Sequence, residues 1–178
     1  MSPRNVIFAF KMIKFPINTE RLIIRRFEPH DLEPFLSFMV NPESTKYLAF
    51  AENQKTEDGA KNLFEYVCSA YDSEEPVHSY VIANKDSNQY LGSCGFANYD
   101  DGIVECYYSI NSQHCGQGIA TEATTTLVSC LSQDYEVRAY CHPENKAAHA
   151  VALKSGFSRQ SMSMHRNFGF EGLLFIYK

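Results

Sequence analysis

The chain has no tryptophan, no Cys-x-x-Cys pair, no internal repeat and no long uninterrupted apolar run. Each absence removes a class of protein. The six cysteines, at 68, 94, 106, 115, 130 and 141, have neither the spacing of a zinc site nor that of a secreted disulfide framework. They fall mostly inside apolar strand-like or helix-like patterns, which reads as free, largely buried thiols in a reducing cytoplasm, with no metal. The apolar stretch Val6 to Phe10 is cut short by Lys11 and Lys14 and is followed by no small-residue cleavage site, so no membrane association is expected. Basic residues are the minority, 16 Lys and Arg against 21 Asp and Glu, for a net charge of −5. That balance argues against nucleic acid, whose binding proteins carry a basic face. It suits a cationic amine.

What is present fits one globular domain. A chain of 178 residues with 44% hydrophobic and 21% charged residues can bury a core without disulfides or metal. Residues 1–18 read as an N-terminal extension and 19–178 as the domain, with Met12 a second possible start of translation beside Met1. Residues 21–27, with β-branched Ile23 and Ile24, predict a strand. Asp31 stands where an N-cap is needed, ahead of Leu32, Phe35, Leu36 and Met39 at helical spacing, and Asn41-Pro42 ends that run. Residues 56–71 predict a second helix, with Thr56 as cap and Leu63, Phe64, Val67 and Ala70 on one face. Three strands follow, 78–84, 89–99 and 103–110, joined by the polar turns at 85–88 and 100–102 into an antiparallel meander. A helix over 119–133 then leads to a short strand at 137–141, which a crossover helix places parallel to 103–110. The last helix, 145–155, is closed by Gly156, and strands near 157–164 and 172–177 complete the sheet. The prediction is an α/β domain with a mixed, mostly antiparallel sheet of six to seven strands flanked by about four helices.

Between the third meander strand and the next helix lies Gln-His-Cys-Gly-Gln-Gly-Ile-Ala, residues 113–120. Gly116 and Gly118 can adopt backbone angles closed to other residues, and the first amides of the helix have no intrahelical acceptor. Those N–H groups and the positive end of the helix dipole favour a phosphate or pyrophosphate. A Walker loop is excluded, since no Gly-x-x-x-x-Gly-Lys run exists, and Thr121 stands where a dinucleotide fingerprint needs its third glycine.

Gln113, Gly116 and Gly118 form Gln-x-x-Gly-x-Gly, which resembles the acetyl-CoA pyrophosphate loop of the GNAT superfamily of N-acetyltransferases. Two more segments agree in order and spacing. Glu105-Cys106-Tyr107-Tyr108-Ser109-Ile110 resembles the superfamily's fourth strand, and Asn145 with Lys154-Ser155-Gly156-Phe157 resembles its closing motif. Thr19-Glu20-Arg21-Leu22 and Ala120-Thr121-Glu122-Ala123 resemble the branch that includes the ribosomal-protein-alanine N-acetyltransferases. The resemblance covers residues 19–177.

The resemblance implies a splayed pair of parallel strands at the centre of the sheet and acetyl-CoA as cosubstrate. Main-chain amides of Gly116, Gln117, Gly118, Ile119, Ala120 and Thr121 would hold the pyrophosphate, with Gln113 opening the loop. The backbone of Tyr108, Ser109 and Ile110 would pair with the pantetheine arm, and Asn145 would bond to it from the other side. Glu105 would be the general base, directly or through a water; its alternative is a solvated or ion-paired strand residue. The acceptor would be a primary amine, with a protein or peptide N-terminus set ahead of a polyamine or aminoglycoside, on a monomer or homodimer. The sequence departs from the family at the acid: Ala152 and Ala148 stand where members carry Tyr or Ser. Tyr107, Ser155 or water could replace it, and a CoA-binding module without turnover is the competing reading. His142, His149 and His165 read as surface or core residues.

Overall fold

The computed structural model describes residues 13–177; residues 1–12, and with them the choice of start at Met1 or Met12, lie outside the described residues. The strands are β1 (Ile17–Asn18), β2 (Leu22–Arg25), β3 (Ser79–Asn84), β4 (Tyr90–Asp100), β5 (Ile103–Ile110), β6 (Glu136–Cys141), β7 (Phe157–Met164) and β8 (Glu171–Tyr177). The helices are α1 (Leu32–Val40), α2 (Pro42–Thr45), α3 (Glu57–Ala70), α4 (Ile119–Leu131) and α5 (Lys146–Lys154). The strands form one eight-stranded sheet in the order β1-β2-β3-β4-β5-β6-β8-β7. Every pairing is antiparallel except β5 with β6.

The sheet has one strand more than the sequence predicts, and the helices number five among the described residues. The added strand is β1, two residues that pair Ile17 with Ile24 and Asn18 with Ile23. Ile13, Phe15 and Ile17 pack against the core, and the Phe15 ring stacks on Tyr80 at 3.6 Å. The added helix is α2. Asn41 and Pro42 do end α1, but they also start a new turn: the Asn41 side chain accepts the Glu43 N–H at 2.9 Å and Pro42 fills the first helical position, where no N–H is needed.

Asp31 is not a side-chain cap. Its carboxylate is fully buried and takes the Arg25 guanidinium in a fork, at 2.7 and 3.0 Å, together with the Glu28 N–H at 2.8 Å. Thr56 does cap α3, accepting the Gly59 N–H at 3.1 Å. The meander turn is held by Asn84, whose side chain accepts from the N–H groups of Asp86 and Ser87, while Asn88 takes a positive φ of 57°.

The core follows the two periodicities. On α4, Ala123, Leu127, Val128 and Leu131 are buried, and on α3 Ala60, Phe64, Val67 and Ala70. Phe27 meets both Phe35 and Phe64 edge-on at 5.4 Å, tying the turn after β2 to α1 and α3. Side chains of this kind each stabilise by about 1.5–3 kcal/mol when buried.

Candidate active site

The centre of the sheet is split. β5 and β6 pair in register from Ile103 with Glu136 to Glu105 with Arg138, and pairing stops there. Beyond that point β5 keeps β4 along one edge, as far as Ile110 opposite Gly92. β6 instead takes β8, from Arg138 with Ile176 to Cys141 with Leu173. The parallel strands therefore diverge, and along residues 106–110 the β5 edge that faces β6 has no ladder partner among the described residues. Tyr108 reaches across the opening: its hydroxyl donates to the Ala148 carbonyl of α5 at 2.8 Å and lies 3.9 Å from the Cys141 sulfur. Burial pushes this phenol far above its ordinary pKa, so it stays protonated.

The glycine loop lies at the mouth of that opening. Asn111 ends β5 and caps a single 3-10 turn, Ser112–His114, accepting the Gln113 N–H at 3.2 Å. Gly116 and Gly118 then take φ of 78° and 77°, and α4 begins directly after. A Cβ on Gly116 would meet nothing within 4 Å, so the main chain there is open to a ligand. The first bond of the helix runs from the Glu122 N–H to the Gly118 carbonyl at 3.0 Å, and Gly118 brings no side-chain cap. The N–H groups of Ile119, Ala120 and Thr121 thus have no acceptor inside the helix. The Ile119 side chain is buried in the core, whereas Gln113 and Gln117 are exposed.

The start of the domain is tied to this loop. Glu122 accepts the Thr19 hydroxyl at 2.6 Å and the Arg21 backbone N–H at 2.9 Å on one oxygen, and the Arg21 Nε at 2.7 Å on the other. Arg21 also donates to the Gln117 carbonyl at 3.0 Å. Burial raises the Glu122 carboxyl, but the bonds from Thr19 and Arg21 outweigh it and hold the group below the ordinary range. Glu122 is therefore an anchor, more than the dipole-stabilised acid its position alone suggests.

At the apex of the split, Glu105 meets His165 on the turn between β7 and β8. The carboxylate Oε2 lies 2.6 Å from the imidazole Nε2, and the histidine is fully buried. The ring sits among aromatics: Phe170 stacks at 5.0 Å, and Tyr140, Phe168 and Tyr99 approach at 4.8, 4.8 and 5.4 Å. Burial pushes the Glu105 carboxyl above its ordinary value, against the pull of the histidine bond. Arg138, its register partner, is committed elsewhere, donating to Glu136 at 2.6 Å. His149 is a buried core residue bonded to the His142 carbonyl at 3.0 Å, and His142 is exposed against Tyr47 at 5.0 Å. His165, which the sequence reads as a surface or core residue, is core, yet it touches the Glu105 carboxylate; a histidine inside a turn between two closing strands carries no signal of that partner.

On the opposite wall, Asn145 caps α5, its Oδ1 accepting the Ala148 N–H at 3.0 Å. Its Nδ2 meets no acceptor among the described residues. Ala152 is fully buried, Ala148 is half-buried with its carbonyl taken by Tyr108, and Ser155 is buried with its Oγ unpartnered among the described residues. Tyr107 is 41% exposed. The described residues contain no group of three or more His, Cys, Asp or Glu arranged to hold a metal ion, and no helix long and apolar enough to cross a membrane. All six cysteines are free.

A split parallel pair with a glycine-turned helix start at its mouth defines a GNAT-type domain. Residues 21–158 match the family profile described as acetyltransferase (GNAT) domain, and the chain belongs to that family of N-acetyltransferases. It is 26% identical over 156 residues to an uncharacterized N-acetyltransferase, p20, of Bacillus licheniformis, covering 84% of this chain and 85% of the relative. Its fold matches a GNAT-family acetyltransferase from Bacillus anthracis with a TM-score of 0.73 at 21% identity, over 91% of this chain and 97% of the other. It also matches a ribosomal alpha-N-protein acetyltransferase solved in complex with coenzyme A, with a TM-score of 0.69 at 12% identity, over 89% of this chain and 93% of that one. At these identities the two solved structures speak for the fold alone.

Proposed function

We propose that the protein transfers the acetyl group of acetyl-CoA to a primary amine, with the α-amine of a protein or peptide as the favoured acceptor. The observation that carries this reading is the shape of the split: an open strand edge along residues 106–110, unmet helix-start amides at its mouth and Glu105 where pairing ends. When bound, acetyl-CoA supplies the thioester that the amine attacks. The N–H groups from Gly116 to Thr121 bind its pyrophosphate in the space that Gly116 leaves open. The main chain of Tyr108, Ser109 and Ile110 pairs with the amides of its arm, and the Asn145 Nδ2 donates from the facing helix. A main-chain N–H of the same strand polarises the thioester oxygen.

Glu105 takes the proton that the acceptor must lose. An α-ammonium group has a pKa of about 7.7–8.0 and a lysine ammonium about 10.4, so a carboxylate raised by burial is better matched to the α-amine. Membership of the acetyltransferase family supports acetyl transfer to an amine, and the preference for an α-amine rests on the match of the Glu105 carboxylate to its lower pKa. Free thiols, none paired in a disulfide, support a cytoplasmic setting.

Ala148 and Ala152 favour a second reading, a CoA-binding module without turnover. A thiol with a pKa near about 8.5, judged by cysteine, can leave unprotonated, which supports the enzyme reading. Thiol release measured with acetyl-CoA across a panel of peptides, polyamines and aminoglycosides tests the proposal. Release with peptides fulfils it. Tight acetyl-CoA binding with no release on any amine would establish the module instead.

A further inference from the structure

His165 fixes which oxygen of Glu105 is free to act. Its Nδ1 lies 3.2 Å from the backbone nitrogens of both Asn167 and Phe168. Two N–H groups pointing at one ring nitrogen require a lone pair there, which leaves the ring proton on Nε2. That proton is then aimed at Glu105 Oε2 across 2.6 Å. The turn itself is pinned by the His165 N–H on the Phe170 carbonyl at 2.7 Å and the Gly169 N–H on the His165 carbonyl at 2.8 Å, and swinging the ring away would break both bonds to its Nδ1.

We infer that His165 is a positioning residue for proton transfer, an Nε2–H imidazole that occupies Glu105 Oε2 and leaves Oε1 as the single basic atom facing the acceptor. This rests on the acetyl-transfer reading given above. In the step, an N–H bond of the substrate ammonium breaks, an O–H bond forms at Oε1, and the electron pair stays on nitrogen. His165 takes part in the step only through the bond it donates to Oε2.

The other polar groups around the pair are accounted for. On β4, Tyr99 accepts the Tyr140 hydroxyl of β6 at 3.1 Å, and Asp100 is paired with Arg166 of the turn. Arg138 of β6 holds Glu136 and covers the Tyr99 ring at 5.7 Å. Tyr107 neighbours Glu105 on its own strand, and β8 presents Leu174 and Ile176 as register partners of Tyr140 and Arg138. Cys106 and Cys141 feel the Glu105 charge, which adds to the burial that raises both thiols. His165 is thus the single hydrogen-bond donor to the Glu105 carboxylate among the described residues.

Two measurements test the assignment. Nitrogen-15 NMR of the imidazole in the unaltered protein at neutral pH is expected to show a proton on Nε2 and none on Nδ1; a proton on Nδ1, alone or with Nε2, overturns it and requires no variant to fold. The second is the acidic limb of the kcat/KM profile. His165→Asn keeps an acceptor for the Asn167 and Phe168 N–H groups but cannot reach Glu105, and it is expected to move the limb up by about one pH unit or more, the size of a hydrogen bond to a charged group. His165→Gln, which restores a donor at the ε position, is expected to bring the limb back. An unmoved limb in His165→Asn, with Glu105→Gln still abolishing it, overturns the positioning role and leaves Glu105 as base. A limb that survives in Glu105→Gln overturns the acetyl-transfer base instead, with the tautomer unaffected.

Discussion

Glu105 and His165 are 60 positions apart in the chain and 2.6 Å apart in the fold. The carboxylate sits on the last paired residue of the parallel strands, and the imidazole on a turn delivered by two closing strands. The pair puts a half-buried, oriented carboxylate where the parallel strands part, at the position of the proposed base.

Replacing Glu105 with Gln is expected to lower kcat by about 10²- to 10⁴-fold, the usual worth of a general base, and to leave acetyl-CoA affinity unchanged. Steady-state kinetics beside isothermal titration reads both. The same variant has a stability signature. The Glu105 carboxyl is raised in the fold, so the folded state binds its proton more tightly than the unfolded chain. Stability is lost as pH rises from the unfolded value through the folded one. Glu105→Gln, which cannot ionise, is therefore expected to melt at or above the parent temperature at pH 7.5, with the gap closing near pH 4; a lower Tm at pH 7.5 sinks the desolvation argument.

At Gly116 the open space separates charge from bulk. Asn tolerates a positive φ better than most residues, so Gly116→Asn is expected to cost acetyl-CoA affinity severalfold at most. Gly116→Asp has nearly the same shape and is expected to lose at least about tenfold more, since its charge faces the pyrophosphate. Equal affinities in the two variants would remove the loop from the binding site.

The Arg21–Glu122 tie couples the first motif of the domain to the glycine loop. Arg21→Met and Glu122→Gln are each expected to weaken acetyl-CoA binding while lowering stability by only about 1 kcal/mol, because Arg21 is half exposed. The double variant is expected to be little worse than either single one, as a shared interaction requires. The Glu122 carboxyl is held below its ordinary value, so this tie persists through the mildly acidic range and is lost only as pH falls through the depressed value. A loss in the double variant equal to the sum of the two single losses would show that the residues act separately.

Asn145 caps α5, and one substitution can part that role from its proposed bond to the cofactor arm. Asn145→Asp keeps an oxygen for the Ala148 N–H and gains from the helix dipole, so its Tm is expected to match the parent. It loses the Nδ2 donor, and acetyl-CoA binding is expected to weaken by about tenfold. Asn145→Ala loses both, with about 1 kcal/mol of stability gone. Unchanged binding in Asn145→Asp would confine the residue to its cap.

The sequence by itself determined what depends on neighbours along the chain. Alternation and helical spacing place the meander, the crossover helix and the buried stripe of α4, and the glycine pair marks a loop with positive φ at the start of that helix. Thr56 as a cap belongs here too, since a cap bonds within one turn. Asp31 shows the limit of local reasoning. It stands in a capping position, but Arg25 on the preceding strand offers a fork of two charged bonds, and the carboxylate goes there. Only the tertiary structure decided which distant groups meet: where the parallel register ends, that Thr19 and Arg21 close on Glu122, and that a histidine read as a surface or core residue faces Glu105. The reason is physical. Caps, turns and periodicity are set by backbone geometry over a few residues, whereas a contact between residues 60 or 101 positions apart depends on how every intervening element packs.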